Sequence, residues 1–145
     1  MADSEAQGRI LALDLGKKRI GMALSDALGL TAQPLETLAR TRIREDLDAL
    51  ARLMEERGVG LVLLGNPLHM SGDESRQTEW VREFGERLAA RTGRPVEYQD
   101  ERWTSMEAER LLRMHGRMPD RRSGTVDKMA AALLLQSYLD RRGAG

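Results

Sequence analysis

Cysteine is absent from the 145 residues. That excludes a disulfide framework, a thiolate zinc site and a cysteine nucleophile, and it suits a reducing cytoplasm. Aromatic residues make up only 3% of the chain, too few for a platform on which successive bases stack. Any nucleic acid would therefore be recognised by phosphates and shape. No apolar run approaches the roughly 18 residues that a membrane span needs. The first residues, "MADSEAQGR", contain no apolar signal core, so a cytoplasmic protein with no membrane partner is expected. Nor does one sign of charge prevail: Lys plus Arg and Asp plus Glu each number 23, and binding to a polyanion would need local basic patches. Lysine itself is scarce, at positions 17, 18 and 128, and the other cations are arginines, whose planar fork suits phosphate oxygens.

A chain of this length can bury a core without staples, and 1–145 reads as one domain, frayed at 1–8 and 143–145. Ile10 to Leu13 is apolar at every position, which predicts a strand covered on both faces. Ile20 to Leu24 resumes after a turn containing Gly16, so the two form a hairpin. "TAQPLETLA" (31–39) predicts a third strand at an edge, where Pro34 does least harm. "REDLDALARLMEERG" spaces Leu47, Leu50, Ala51, Leu53 and Met54 for a helix ending at Gly58. "LVLLG" (61–65) is a further strand. It precedes a helix over 74–91 in which Trp80, Phe84 and Leu88 share one face, stopped by Gly93 and Pro95. "VEYQD" (96–100) is a short strand, and Thr104 with Glu107 makes a capping box for the next helix. After the polar break "MPDRRSGT", "VDKMAAALLLQSYLDRR" is apolar enough to lie across a sheet. The order predicts an α/β fold: a mixed five-stranded sheet, its first three strands antiparallel, with helices on both faces.

In such a sheet, ligands gather outside the carboxyl ends of the parallel strands. Asp14 closes the first strand, Gly65 and Asn66 the fourth, and Asp100 and Glu101 the fifth. Asp127 opens the last helix on the side of Ala130, Ala131, Leu134 and Tyr138. Carboxylates converging on one point repel, and one would have to protonate unless a cation intervened. A hard dication such as Mg²⁺ or Mn²⁺ removes the conflict. Two such ions can activate a water and stabilise a leaving oxygen in phosphodiester cleavage. Taken singly, each acid also has a plainer role: Asp14 in a turn, Asp127 at a helix dipole, Glu101 beside Arg102.

Lys17, Lys18 and Arg19 in the hairpin turn are candidates to hold phosphates, with Arg102 and the loop arginines 117, 121 and 122 behind them. Gly16 and the loop from Gly65 to Gly72 would let a backbone approach closely. His69 and His115 have no supporting motif for nucleophilic catalysis. Trp80, Phe84 and Tyr138 read as core, whereas Trp103 is the aromatic placed to touch a base.

Together "LALDLGKKRIGMALSD", "LLGNPLHMSGDES", "DERWTSMEAERLL" and "VDKMAAALLLQSYLD" resemble the YqgF family, also called RuvX, over nearly the whole chain. The resemblance implies an RNase H-like fold and a metal-dependent nuclease. The implied substrates are the 5′ end of pre-16S ribosomal RNA, in ribosome biogenesis, or branched DNA such as Holliday junctions. Its first acid falls on Asp14, its strand-end acid on Glu101, with Asp100 adjacent, and its helix acid on Asp127. These would hold two Mg²⁺ or Mn²⁺ ions, while Lys17, Lys18, Arg19, Asn66 and Arg102 would contact nucleic acid. One position departs: the family's Gly-Leu-Pro after the fourth strand is Gly65, Asn66, Pro67 here.

Two other classes fit parts of the pattern. A non-catalytic RNA-binding ribosome-assembly factor would keep the fold and the acids without cutting. An actin-like phosphotransferase or ATPase also begins with a strand, an Asp-Leu-Gly turn and a hairpin, but such enzymes usually need two related domains. Either a monomer or a homodimer is compatible with the sequence.

Overall fold

Unbroken apolar runs build the middle of one five-stranded sheet. The computed structural model describes residues 8–66, 74–100 and 125–144; at 66, 74–78, 100, 125–129 and 143–144 it describes the backbone alone. Strands β1 (Arg9–Leu15), β2 (Arg19–Ser25) and β3 (Ala32–Ala39) are followed by helix α1 (Ile43–Arg57) and strand β4 (Val59–Asn66). Helix α2 (Glu74–Thr92), strand β5 (Val96–Asp100) and helix α3 (Thr125–Ala144) complete the described elements. The strand order is β3-β2-β1-β4-β5. As expected, β1, β2 and β3 pair antiparallel. Strands β4 and β5 run parallel to β1. The capping box at Thr104 and Glu107 and the helix it was expected to open lie outside the described residues.

Period-two alternation sends each central strand into two cores. Leu11, Leu13, Ile20, Met22, Val62 and Leu64 pack on one face with Leu47, Leu50 and Met54 of α1 and Val81, Phe84 and Leu88 of α2. Ile10, Ala12, Ala23 and Leu63 pack on the other with Ala131, Leu134, Leu135 and Leu139 of α3. Burial on both faces is why these strands carry no polar alternation. At the sheet's edge β3 mixes exposed and half-buried residues, and its Pro34, which has no N–H to donate, stands opposite Ala23 of β2.

The helix ends are where their glycines place them. Gly58 takes the left-handed φ of 66° after α1, and its N–H bonds the Met54 carbonyl. Gly93, at φ 74°, ends α2 with its N–H on the Ala89 carbonyl at 2.7 Å. Two of the three aromatics read as core are only half-buried. Phe84 is enclosed. Trp80 instead lies under an arginine, and the Tyr138 hydroxyl donates to Glu97 at 2.9 Å.

Two glutamine side chains fasten α3 to the sheet. Buried Gln99 of β5 donates to the Leu134 carbonyl at 2.9 Å. Gln136 accepts from the Ala32 N–H and donates to the Leu30 carbonyl, both at 3.1 Å. Leu139 and Arg142 share a concave surface with Ile10 and Gly60, near the starts of β1 and β4. The C-terminal part of α3 therefore lies at the amino ends of the parallel strands. Its first turn points to their carboxyl ends.

Candidate active site

The carboxyl ends of β1, β4 and β5 lie side by side. Leu13 is in register with Leu64, Gly65 with Gln99, and Asn66 with Asp100. Asp14 is the next residue of β1, paired with Gly21 of β2. Its alternation with Leu13 puts it on the face of Ile10 and Ala12, the face that α3 covers. Position 127 belongs to the first turn of α3, on the stripe that continues through Ala131 and Leu134, both buried against the sheet. Strand register and helix direction thus bring positions 14, 66, 100 and 127 to one end of the molecule. Glu101 and Arg102 lie outside the described residues.

Asp14 is half-buried. Among the described residues no hydrogen bond or ion pair reaches its carboxylate, although the strand that carries it is closed in by apolar side chains. A carboxylate so placed fits a hard cation as its counter-charge. The described residues alone contain no group of three His, Asp or Glu side chains able to hold a metal ion, so Asp14 would need partners beyond them.

Directly after Asp14 the chain turns. The Gly16 N–H donates to the Arg19 carbonyl at 2.9 Å and closes the β1–β2 hairpin, leaving Lys17, Lys18 and Arg19 exposed at its tip. A Cβ at Gly16 would stand 2.8 Å from the Arg19 carbonyl oxygen, so the tight turn requires glycine there. Lys17, Lys18 and Arg19 thus sit at the same end of the sheet as Asp14, and the other basic residues singled out in the sequence, 102, 117, 121 and 122, lie outside the described residues. Sequence reading missed Arg40. Its Nη1 donates to the Gly16 carbonyl at 2.9 Å and its guanidinium stacks 4.4 Å from the Trp80 ring centroid. No local motif marks that role, because its partners come from three separate stretches of chain.

A concavity of about 860 Å³ opens at the other end of the sheet, between Gly8, Ser25, Leu61 and Leu139. It contains none of the candidate site residues. The end bearing Asp14 carries the exposed cations Lys17, Lys18 and Arg19.

Comparison with known proteins agrees with the geometry. The model of a family described as "RuvX: Holliday junction resolvase" matches residues 8–141. A Koribacter versatilis protein named "Putative pre-16S rRNA nuclease" is 46% identical over 140 residues, covering 97% of this chain and 92% of its own. One of the same name from Syntrophus aciditrophicus is 48% identical over 132 residues, covering 91% and 88%. Among solved structures, Thermus thermophilus RuvC in complex with a Holliday junction substrate superposes with a TM-score of 0.60 at 16% identity, over 93% of this chain and 96% of that one. The fowlpox virus resolvase, solved with Holliday junction DNA, gives 0.55 at 13% identity, over 92% and 98%. At these identities the structures speak for the fold, which is RNase H-like.

Proposed function

The chain belongs to the RuvX family of nucleases, and from that premise we propose that it hydrolyses phosphodiester bonds with Mg²⁺ or Mn²⁺ held by Asp14, Glu101 and Asp127. The substrate is the 5′ region of pre-16S ribosomal RNA or a branched DNA. The observation that carries the reading is the half-buried Asp14 carboxylate, which has no partner among the described residues, on a rigid central strand beside a basic turn.

The family resemblance puts the strand-end acid on Glu101, with Asp100 adjacent, and β5 carries the chain toward α3. Glu97 bonds Tyr138 and Gln99 bonds Leu134, both on α3, whereas Tyr98 packs into the opposite core. Three carboxylates from β1, the end of β5 and α3 form an all-oxygen donor set, the kind hard dications prefer.

Two such ions, when bound, activate the attacking water and stabilise the leaving oxygen. The chain's own residues do the rest. β1, paired on both sides, fixes the Asp14 backbone so that the carboxylate is preorganised. Lys17, Lys18 and Arg19 hold phosphates flanking the scissile bond, while Asn66 and Arg102 contact the nucleic acid beside it. Phosphate contacts position the strand without reading its sequence, which fits a protein with few aromatics.

Cleavage is tested by offering a precursor 16S 5′ fragment and a four-way DNA junction side by side with Mn²⁺ or Mg²⁺. The Asp14→Asn variant should bind its substrate and cut neither. Full activity in that variant overturns the assignment of Asp14. Binding without cutting by the unaltered protein would instead favour a non-catalytic assembly factor.

A further inference from the structure

Arg40 is the fixed point of a corner that joins three elements. Its backbone N–H donates to the Lys18 carbonyl at 2.8 Å, and its Nη1 donates to the Gly16 carbonyl at 2.9 Å. The guanidinium lies over Trp80 of α2, and Nε stands 3.9 Å from Oδ2 of Asp46 in α1. Asp46 is itself buried, and its Oδ1 accepts from both the N–H and the hydroxyl of Thr41 at 3.1 Å. With only 19% of its side chain exposed, Arg40 is occupied inward. It binds the tip of the β1–β2 hairpin to the β3–α1 connection.

The cations around it are not so occupied. Lys17, Lys18 and Arg19 on the tip and Arg42 at the start of α1 are exposed. Among the described residues none of the four has a carboxylate partner. The Arg42 side chain does not cap α1 either. In a chain with no net charge, four exposed cations with no carboxylate partner among the described residues outnumber the one exposed acid, Glu45, in the first turn of α1, and make the tip and the corner locally positive.

We propose that the hairpin tip and the β3–α1 corner form one phosphate-binding surface for a nucleic-acid backbone. In it Lys17, Lys18, Arg19 and Arg42 contact phosphates, and Arg40 is a positioning residue that holds the two loops together. This rests on the reading of this end of the sheet as the nucleic-acid face, and extends that face from the α3 side, where Asp14 lies, to the α1 side. A backbone lying on it crosses the carboxyl edge of the sheet. Its contacts are independent of base sequence.

The surface is tested by fluorescence anisotropy with a labelled RNA stem–loop, titrated with the full chain in EDTA at several salt concentrations. Without metal, binding is measured apart from cleavage. Arg42→Gln should weaken binding several-fold and lower the slope of log affinity against log salt by about 0.7 to 0.9, the loss of one phosphate contact. Arg57→Gln, an equal charge change at the far end of α1, should do neither. Arg40→Gln and Arg40→Lys should both weaken binding, because lysine keeps the charge but cannot make the forked contacts. In a Lys17→Gln/Lys18→Gln background, Arg40→Gln should cost little more, since its effect passes through the tip.

If Arg42→Gln behaves like Arg57→Gln, the surface is wrong. If Arg40→Gln adds fully to the tip variants, or Arg40→Lys binds normally, the positioning role is wrong. Thermal melts report whether an Arg40 variant folds, and the Arg42 and lysine variants test the surface regardless. A protein that binds as expected yet cuts nothing overturns the nuclease reading and leaves this surface standing.

Discussion

A single carboxylate, Asp26, organises the β2–β3 turn. Its Oδ1 accepts from the Leu30 N–H at 2.7 Å and the Thr31 N–H at 2.9 Å. Those bonds, Thr31's first, hold its pKa below the ordinary carboxylate value. A depressed pKa means that the unfolded chain takes up the proton first, so the stability contributed is present above the unfolded pKa and lost as pH falls through the folded one. Asn at this position keeps an acceptor but cannot titrate. The melting temperature of Asp26→Asn should therefore lie below that of the unaltered protein at neutral pH, and the gap should close in acid. A gap that stays constant with pH would show that the charge is irrelevant. Asp14 announced itself in sequence because it ends a plain apolar run, whereas Asp26 was not singled out. Nor was Arg40, since it works through Gly16, Asp46 and Trp80, which only the folded chain brings together.

Helix α2 approaches β4 and β5 through Gly85. A Cβ there would stand 2.9 Å from Leu64 Cδ1 and press into the Tyr98 hydroxyl. Glycine inside a helix costs about 1 kcal/mol relative to alanine, so propensity alone makes Gly85→Ala stabilising. Overpacking a close contact costs ~1–3 kcal/mol, and Leu64 is fully buried in the core against which the half-buried Tyr98 packs. Packing should win, lowering the melting temperature, and Tyr98→Phe in the same chain should return part of the loss. A rise in melting temperature for Gly85→Ala alone would show that α2 shifts freely. Most elements were legible because their periods are strong: continuous apolar runs for β1, β2 and β4, and Pro34 for the edge. Gly58 and Gly93 likewise marked helix ends. Burial of Trp80 was overestimated, since spacing shows which face a residue shares but not that Arg40 would cover it.

Across the whole molecule, the chain separates what holds it together from what it does. Two apolar cores cover the two faces of the sheet, while β1, β4 and β5 end side by side at the edge to which the acids are assigned. The order of strands and helices made that edge legible, because parallel strands must end together. Gln99 and Tyr98 lie on opposite faces of β5, a placement that came only with the pairing of β5 against β4 and α3. Bringing Asp14, Glu101 and Asp127 together without a cation costs electrostatic repulsion, so the metal-free fold should be strained at this edge. Asp14→Asn removes one of the repelling charges and should melt at or above the unaltered protein in EDTA. With Mn²⁺ the order should invert. Ligand at about 100 times its Kd stabilises the folded state by ~2.7 kcal/mol. For a chain of this size that is a rise of roughly 5–10 °C, which the variant should largely lose. The crossing of the two melting curves is the signature, because a merely structural Asp14 would destabilise the variant under both conditions. Equal Mn²⁺ shifts in both proteins would place the metal elsewhere.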